Sequence, residues 1–468
     1  MIDPKWAWSR YTPTRDNPWD LKKAGHLYRR AAFGATWDEL RSAERLDPHV
    51  AIDRLLKGGS ADGDFAKTAE VMNRAARTNI NLARGWWLTR MLEGPHPLRE
   101  KMTLFWHNHF ATSNAKVQNP ARMFGQYELM HAHALGNFAE LLQAMSKDPA
   151  MMVWLDTVQS TKGQPNENYA RELMELFSLG IGNYTEKDIR EAARAFTGSE
   201  IRGEKWFFNV AQHDDGEEAV IGRKGKFKGE DIVDICLDQP ACPRFIVRKL
   251  LRFLVSDTLE LTPELIEPLA AQFRASGFDF GKLVETVLRS NLFFSPHAYR
   301  QQIKCPVDFA LGTVRGLEIR VSTTNLATAL ESLGQNLFHP PSVKGWDGGQ
   351  AWLNGQTLLF RQNLALALCS RDTSSSGYVR VPYAGVVTEP AELLQKHGKF
   401  DDVAAVDFLL DLFMQHDVPS ESREKLIDYL TQARKLPASK FSSDADRTNH
   451  PTRAVTHLVL TLPEYQLN

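Results

Sequence analysis

Cysteine is scarce in this 468-residue chain: Cys236, Cys242, Cys305 and Cys369 are the only four, and no two make a CxxC pair. That pattern excludes a disulfide framework and a thiolate zinc site. It reads as reduced, mostly buried thiols and leaves a Cys236–Cys242 bridge open. A charge excess of either sign is also missing. With 56 Lys+Arg against 57 Asp+Glu the formal net charge is −1, so no broad basic surface is expected and a nucleic-acid partner is disfavoured. No run approaches ~18 consecutive apolar residues, which excludes a transmembrane helix. The opening "MIDPKWAWSRYTPTRDNPWD" lacks the apolar segment of a secretory signal. As written, the chain is expected in the cytoplasm; with a native leader ahead of it, it would be exported. Also absent are a Gly-rich phosphate or dinucleotide loop in a strand–helix context, an HExxH pair, a G-x-S-x-G elbow and any internal repeat.

Helical periodicity dominates what is present. "LKKAGHLYRRAAFG" (21–34) sets apolar residues at three- and four-residue steps and stops at Gly34. "TWDELRSAERL" offers Thr36 with Glu39 three later, a capping box. "INLARGWWLTRMLEG" and "PLREKMTLFWHNHF" read as two helices split by "GPHP", with Pro97 in the first turn of the second. "ENYARELMELFSLG" and "TEKDIREAARAFTG" are the clearest helices, each ending in a Gly stop. The exception is 205–227, where "WFFNV" and "EAVIG" flank "HDDG" as the arms and turn of a hairpin. "CPRFIVRKLLRFLV" returns to helix, and "HPPSVKGWDGGQAW" (339–352) has too many breakers for a regular element. The expected fold is mostly α: a multi-helix globular body with one small β-hairpin insertion. A main domain would span 20–370, a linker 371–390 beginning in "SRDTSSSG", and a C-terminal helical segment 391–468 would pack on the main domain.

Several constellations carry chemistry. "FWHNHFATSN" puts His107 and His109 two positions apart. On a continuous helix such residues project about 200° apart and cannot share a ligand. In an extended segment they face the same way. Because "ATSN" continues a helix poorly, the helix from Pro97 is expected to end here, which opens a shared site. The plainer alternative has one histidine at the helix end and the other in solvent. The letters H-N-H do not signal an HNH nuclease, whose residues lie far apart in sequence. In "PNENYARELMEL" (165–176), Asn166 caps a helix on which Asn168, Glu172 and Glu175 form one polar stripe. Ion pairs from Arg171 to Glu167 and Glu175 would make it an ordinary helix instead. "HDDG" (213–216) either delivers His213 and Asp214 to a facing site or simply makes a turn. Glu128-x-x-His131 is half of a di-iron motif with no second copy. Trp346 and Trp352, with Asn354 and Arg361, either offer a stacking surface or pack their own loop.

The stretches "HLYRRAAFGAT", "LREKMTLFWHNHFATS", "GQPNENYARELMELFSLGIGNYTEKDIREAARAFTG", "HDDG" with "IGRKGKFKGEDIVD", "IKCPVDF", "PPSVKGWDGGQAWLN" and "LPEYQLN" occur in this order. Together they resemble the bacterial family called domain of unknown function 1800, from about His26 onward. The resemblance implies proteins that are often exported and often encoded beside a sulfatase- or phosphatase-like partner of another family, domain of unknown function 1501. It implies no role for any residue. His107, His109, Asn168, Arg171, Glu172, Tyr184, Arg194, His213 and Asp214 fall inside the matching stretches.

The resulting expectation is one cleft in which His107 and His109 face the Asn168/Glu172/Glu175 stripe and the His213 hairpin. His107, His109, Glu175 and His213 would bind Zn, Fe or Mn. Glu172 or Asp214 would act as ligand or general base, with Asn168, Arg171 and Arg194 completing a metal-dependent hydrolase or oxidoreductase. Two alternatives stand beside it. One is a metal-free site in which His107 or His213 moves protons and Arg171 or Arg194 holds an anion. The other is a non-catalytic helical module that binds a glycan, peptide or partner enzyme through Trp346 and Trp352.

Overall fold

The computed structural model describes residues 2–61, 63–370, 389–441 and 443–468. The described residues form 24 α-helices and two two-stranded antiparallel sheets. Local signals act as the sequence leads one to expect. Thr36 and Glu39 close a capping box, and Pro97 opens the Pro97–His109 helix. The chain leaves helices through glycines of positive φ at Gly34, Gly180 and Gly198. The four cysteines are free thiols. The expected linker at 371–390 lies, for 371–388, outside the described residues.

The β region differs from the expected single hairpin. The "WFFNV" run pairs backward, β2 (Lys205–Phe208) on β1 (Ser199–Arg202), across the two-residue turn Gly203-Glu204. The "EAVIG" run pairs forward, β3 (Glu218–Val220) on β4 (Arg223–Gly225), across Ile221 and Gly222, both at positive φ. That is the geometry a two-residue hairpin favours. "HDDG" therefore connects two hairpins and is the tip of neither.

The Pro97–His109 helix is the axle of the body. It is buried around almost its whole circumference, and its buried polar side chains are held by partners, Glu100 by Arg90 and Lys101 by Asp308. Leu98, Met102, Phe105 and Trp106 enter one hydrophobic cluster, and Leu104 enters the second. Leu393, Val406, Leu409, Val459 and Tyr465 share that second cluster with Phe33, Phe309 and Leu364. The chain then turns inward: Leu467 forms an antiparallel bridge with Ile303, the Lys304 N–H donates to Gln466 O at 2.8 Å, and the Asn468 N–H donates to Gln302 O at 2.8 Å. Arg361, wholly buried, ties this tail down through Gln466 Oε1 (3.2 Å) and Lys304 O (2.7 Å).

Candidate functional site: a cationic cleft beside the axle helix

The axle helix does not end early. The Phe110 N–H donates to Trp106 O at 2.8 Å, so His107, Asn108 and His109 all stand on regular helix. Successive side chains then point about 100° apart, and each fastens a different segment. His107 Nε2 accepts the Phe338 N–H at 3.1 Å, with the ring packed edge-on to Trp87 and Trp346. Burial pushes its pKa down to about 3, and its Nδ1 has no partner. Asn108 Oδ1 accepts the Trp346 N–H at 2.7 Å, and its Nδ2 donates to Trp346 O at 3.4 Å. His109 Nε2 lies 3.1 Å from Phe177 O. A carbonyl only accepts, so Nε2 carries the proton and Nδ1 is left as an acceptor. That acceptor takes an N–H of Lys249 at 3.2 Å. The expected exit of both histidines from a helix end into one site is thus corrected: the helix holds them on opposite sides.

The other expected partners are dispersed as well. His213 Nδ1 donates to Thr197 O at 3.1 Å, with its ring against Phe208. Asp214 is held by a two-pronged bond from Arg194 (2.9 and 3.2 Å), which lowers its carboxyl to about 2. Arg171 clasps Glu186 (2.8 Å twice) and Glu167 (3.2 Å). Asn168 lies 3.5 Å from Asp156. The polar stripe is broken because the α-helix Asn168–Glu172 continues as a π-helix, Leu173–Ser178. A π-turn holds one more residue than an α-turn and so rotates the residues after it about the helix axis. Glu175 consequently reaches the cleft beside the axle helix, bound by the Tyr184 hydroxyl at 3.1 Å, while Asn168 and Glu172 do not line it. Burial, and then the Glu175 charge, raise the Glu172 carboxyl. The di-iron half-motif also splits: Glu128 pairs with Arg77, and His131 pairs with Glu100 at 3.0 Å. His107, His109, Glu175 and His213 bring no three ligand atoms together. Among the described residues the group that does is Asp38, Glu318 and His397. Lys396 Nζ already stands there, 2.6 Å from Glu318 Oε2.

A cleft of about 620 Å³ does exist beside the axle helix. One wall is the helix Ala241–Leu254, which presents Phe245, Arg248, Lys249, Arg252 and Phe253. Those positions are steps of three and four on a single helical face. Leu104, Phe105, Asn108 and His109 of the axle form the facing wall. Buried Trp346 and Trp352 close the side, and Arg30 lies at the inner end with the ion pair Lys101–Asp308. The cleft collects six cationic and four carboxylate side chains. Lys101–Asp308 and Lys344–Asp347 pair off. Among the described residues Arg248, Lys249 and Arg252 form no ion pair. Arg248 donates to Leu261 O at 3.1 Å, and Arg252 to Ser256 O and Asp257 O at 3.2 and 2.9 Å. Lys249 donates to His109 Nδ1 and, at 3.3 Å, to Leu176 O. Burial lowers its ammonium to about 8. Arg30 donates to Ala298 O at 3.1 Å and to Val255 O, and its Nε and Nη1 have no partner. The cleft holds two more cationic than carboxylate side chains on a chain of net charge −1, and the charges of Arg30 and Arg252 act on Asp257.

Sequence reasoning passes over Lys249, Arg248 and Arg252, although a signal is present. "ACPRFIVRKLLRFL" carries four basic residues and no acid. No intrahelical ion pair can therefore form, and each cation must look outside its helix.

The model of the family described as "Protein of unknown function (DUF1800)" matches residues 26–467. The chain belongs to the DUF1800 family. The match spans every residue that lines the cleft except Asn468. No curated protein and no solved structure matches this DUF1800 chain. Among its described residues no helix is long and apolar enough to cross a membrane.

Proposed function

We propose that the cleft binds a small anionic molecule with a ring or apolar body, and that Lys249 exchanges a proton with it. The observation that carries this reading is the single helical face bearing Arg248, Lys249 and Arg252, none of them ion-paired among the described residues and all opening on the cleft. Arg252 is half-buried, and an unpaired cation at such a wall is costly unless an anion arrives, while Arg248 stands exposed at the rim. The Phe245, Phe253, Trp346 and Trp352 rings supply apolar surface for the rest of the ligand. An amine that titrates near 8 is poised to give or take a proton close to neutral pH. His109, kept neutral by burial, orients that amine. Metal chemistry on His107, His109, Glu175 and His213 is not part of this proposal, because those ligand atoms are held apart. The same cleft without turnover would be a binding module, and the two Trp side chains at its wall favour that as the second reading.

A thermal-shift panel tests the proposal. Phosphate-, sulfate- and carboxylate-bearing aromatic and sugar compounds would be added at low and at physiological salt. Saturable stabilisation is expected, weaker at higher salt, and lost in Arg248→Ala/Arg252→Ala. A panel without effect, or an equal response from the variant, overturns it. A hit that is converted separates the enzyme from the module.

A further inference from the structure

We infer that Lys249 forms an imine with the carbonyl group of an anionic oxo compound bound in the cleft. The inference rests on the cleft being the ligand site and adds the class of ligand and the bond made. Its basis is the arrangement around Nζ. Two acceptors meet the amine, His109 Nδ1 at 3.2 Å and Leu176 O at 3.3 Å. A neutral amine has two N–H groups and one lone pair. Two acceptors satisfy both N–H groups and leave the lone pair as the remaining tetrahedral position. An ammonium's third N–H would meet no acceptor there, only the face of Phe245, whose ring centroid is 5.1 Å away. His109 cannot turn into a donor, because its Nε2–H is committed to Phe177 O. No carboxylate among the described residues pairs with Lys249 to hold it as a cation. Besides the ion pairs Lys101–Asp308 and Lys344–Asp347, the charged groups that share the cleft are Arg248 and Arg252 on the same helix, Glu175 on the π-helix, and Arg30 and Asp257 at the inner end. Burial lowers the Lys249 ammonium toward neutrality, in keeping with the geometry.

The step balances without a further reagent. The Lys249 lone pair attacks the carbonyl carbon, and the amine's two protons leave with the carbonyl oxygen as water. A C=N bond replaces the C=O bond. Arg248 and Arg252, one residue before and three residues after Lys249, are placed to hold the anion of the same molecule, and the aromatic walls limit the water that would reverse the reaction.

The test uses the full chain and 4-formylbenzoate, which combines an aldehyde, a ring and a carboxylate. Cyanoborohydride reduces any imine to a stable amine, and peptide mapping locates it. At pH 7 an amine of pKa about 8 has about two orders of magnitude more neutral form than an ordinary lysine. One equivalent on Lys249, ahead of all other lysines by at least tenfold, is the expected result. Benzaldehyde, without the anion, should label at least tenfold more slowly, and Lys249→Arg should fall to background. Wild-type protein decides the matter even if the variant folds poorly. Labelling scattered over surface lysines overturns the inference. If unreactive 4-methylbenzoate still stabilises the protein while Lys249 stays unlabelled, the imine fails and the anion cleft stands. If 4-methylbenzoate does not stabilise and 4-formylbenzoate does not label Lys249, both fail.

Discussion

At Lys249 the cost of burial falls on the charged form, and that gives a signed prediction. Its ammonium is lowered to about 8 in the folded protein and returns to an ordinary lysine value on unfolding. Between those values the unfolded chain binds more protons, so stability rises with pH. Below pH 8 both states are charged and the penalty is constant. Wild type should therefore gain about 3 kcal/mol relative to Lys249→Met between pH 8 and 10.5, read from urea midpoints at the two ends. Parallel curves for the two proteins would show that the amine is not held near neutrality. Residue types and helical phase were legible in the sequence at this scale. His109 and Glu175 were singled out and do line the cleft. Lys249 was not, because the worth of an amine is set by which acceptors meet it from 73 and 140 residues away. His107 misled for a related reason: its ring binds the Phe338 amide from inside the core, and nothing in "HNH" distinguishes a ligand from a tie.

Elements decide whether the cleft keeps its shape. The 339–352 segment has no regular structure over most of its length and depends on Asn108 for its position. Removing that side chain leaves the Trp346 N–H without an acceptor, a loss of about 1–3 kcal/mol. In Asn108→Ala, amide exchange at 343–349 should quicken while exchange in the Pro97–His109 helix stays slow; unchanged exchange in the loop would mean that other contacts hold it. Gly345 makes the same point from the other side. Its φ is +84°, and a Cβ there would fall inside contact distance of Asn108. Gly345→Ala should cost at least about 1–3 kcal/mol from backbone conformation alone, measurable by chemical denaturation. The helices themselves were readable from period, caps and glycine stops. The π-helix at Leu173–Ser178 was not, since "LMELFS" has the letters of an α-helix. Its extra residue per turn is fixed by packing and by bonds such as Ser178 Oγ to Leu173 O, 2.5 Å. The β arms were found but mispaired, because a two-residue turn at Gly203 or Gly222 outcompetes the longer connection through "HDDG".

For the whole molecule, three fully buried histidines set the acid limit. His26, His107 and His109 are kept neutral by burial, His107 down to about 3 and the others well below their usual value. Their folded pKa values are depressed, so the unfolded chain binds more protons below about pH 6.5 and stability falls as pH drops. Each histidine withdraws about 1.4 kcal/mol per pH unit. Asp148, raised by burial to about 6, offsets part of this. Denaturant midpoints should decline steeply from pH 6.5 to 5; a flat profile would mean that the rings can be charged in place. The tail is the second global determinant. Tyr465 is buried, with its hydroxyl 2.8 Å from Thr313 and Lys304 Nζ over its ring at 3.4 Å. Tyr465→Ala should cost about 3–5 kcal/mol and weaken the cleft, since the same tail carries Asn468 to its wall.

That last placement bears on how the protein is made. The cleft draws on Arg30 near the start and Asn468 at the far end, with Ile303 paired to Leu467 between them. A ribosome that has produced 460 residues has already delivered every cation of the cleft, yet not the strand that seals Ile303 and Lys304. A chain lacking residues 465–468 would thus keep nearly all of its helices and lose the Leu467 bridge and the Asn468 wall of the cleft.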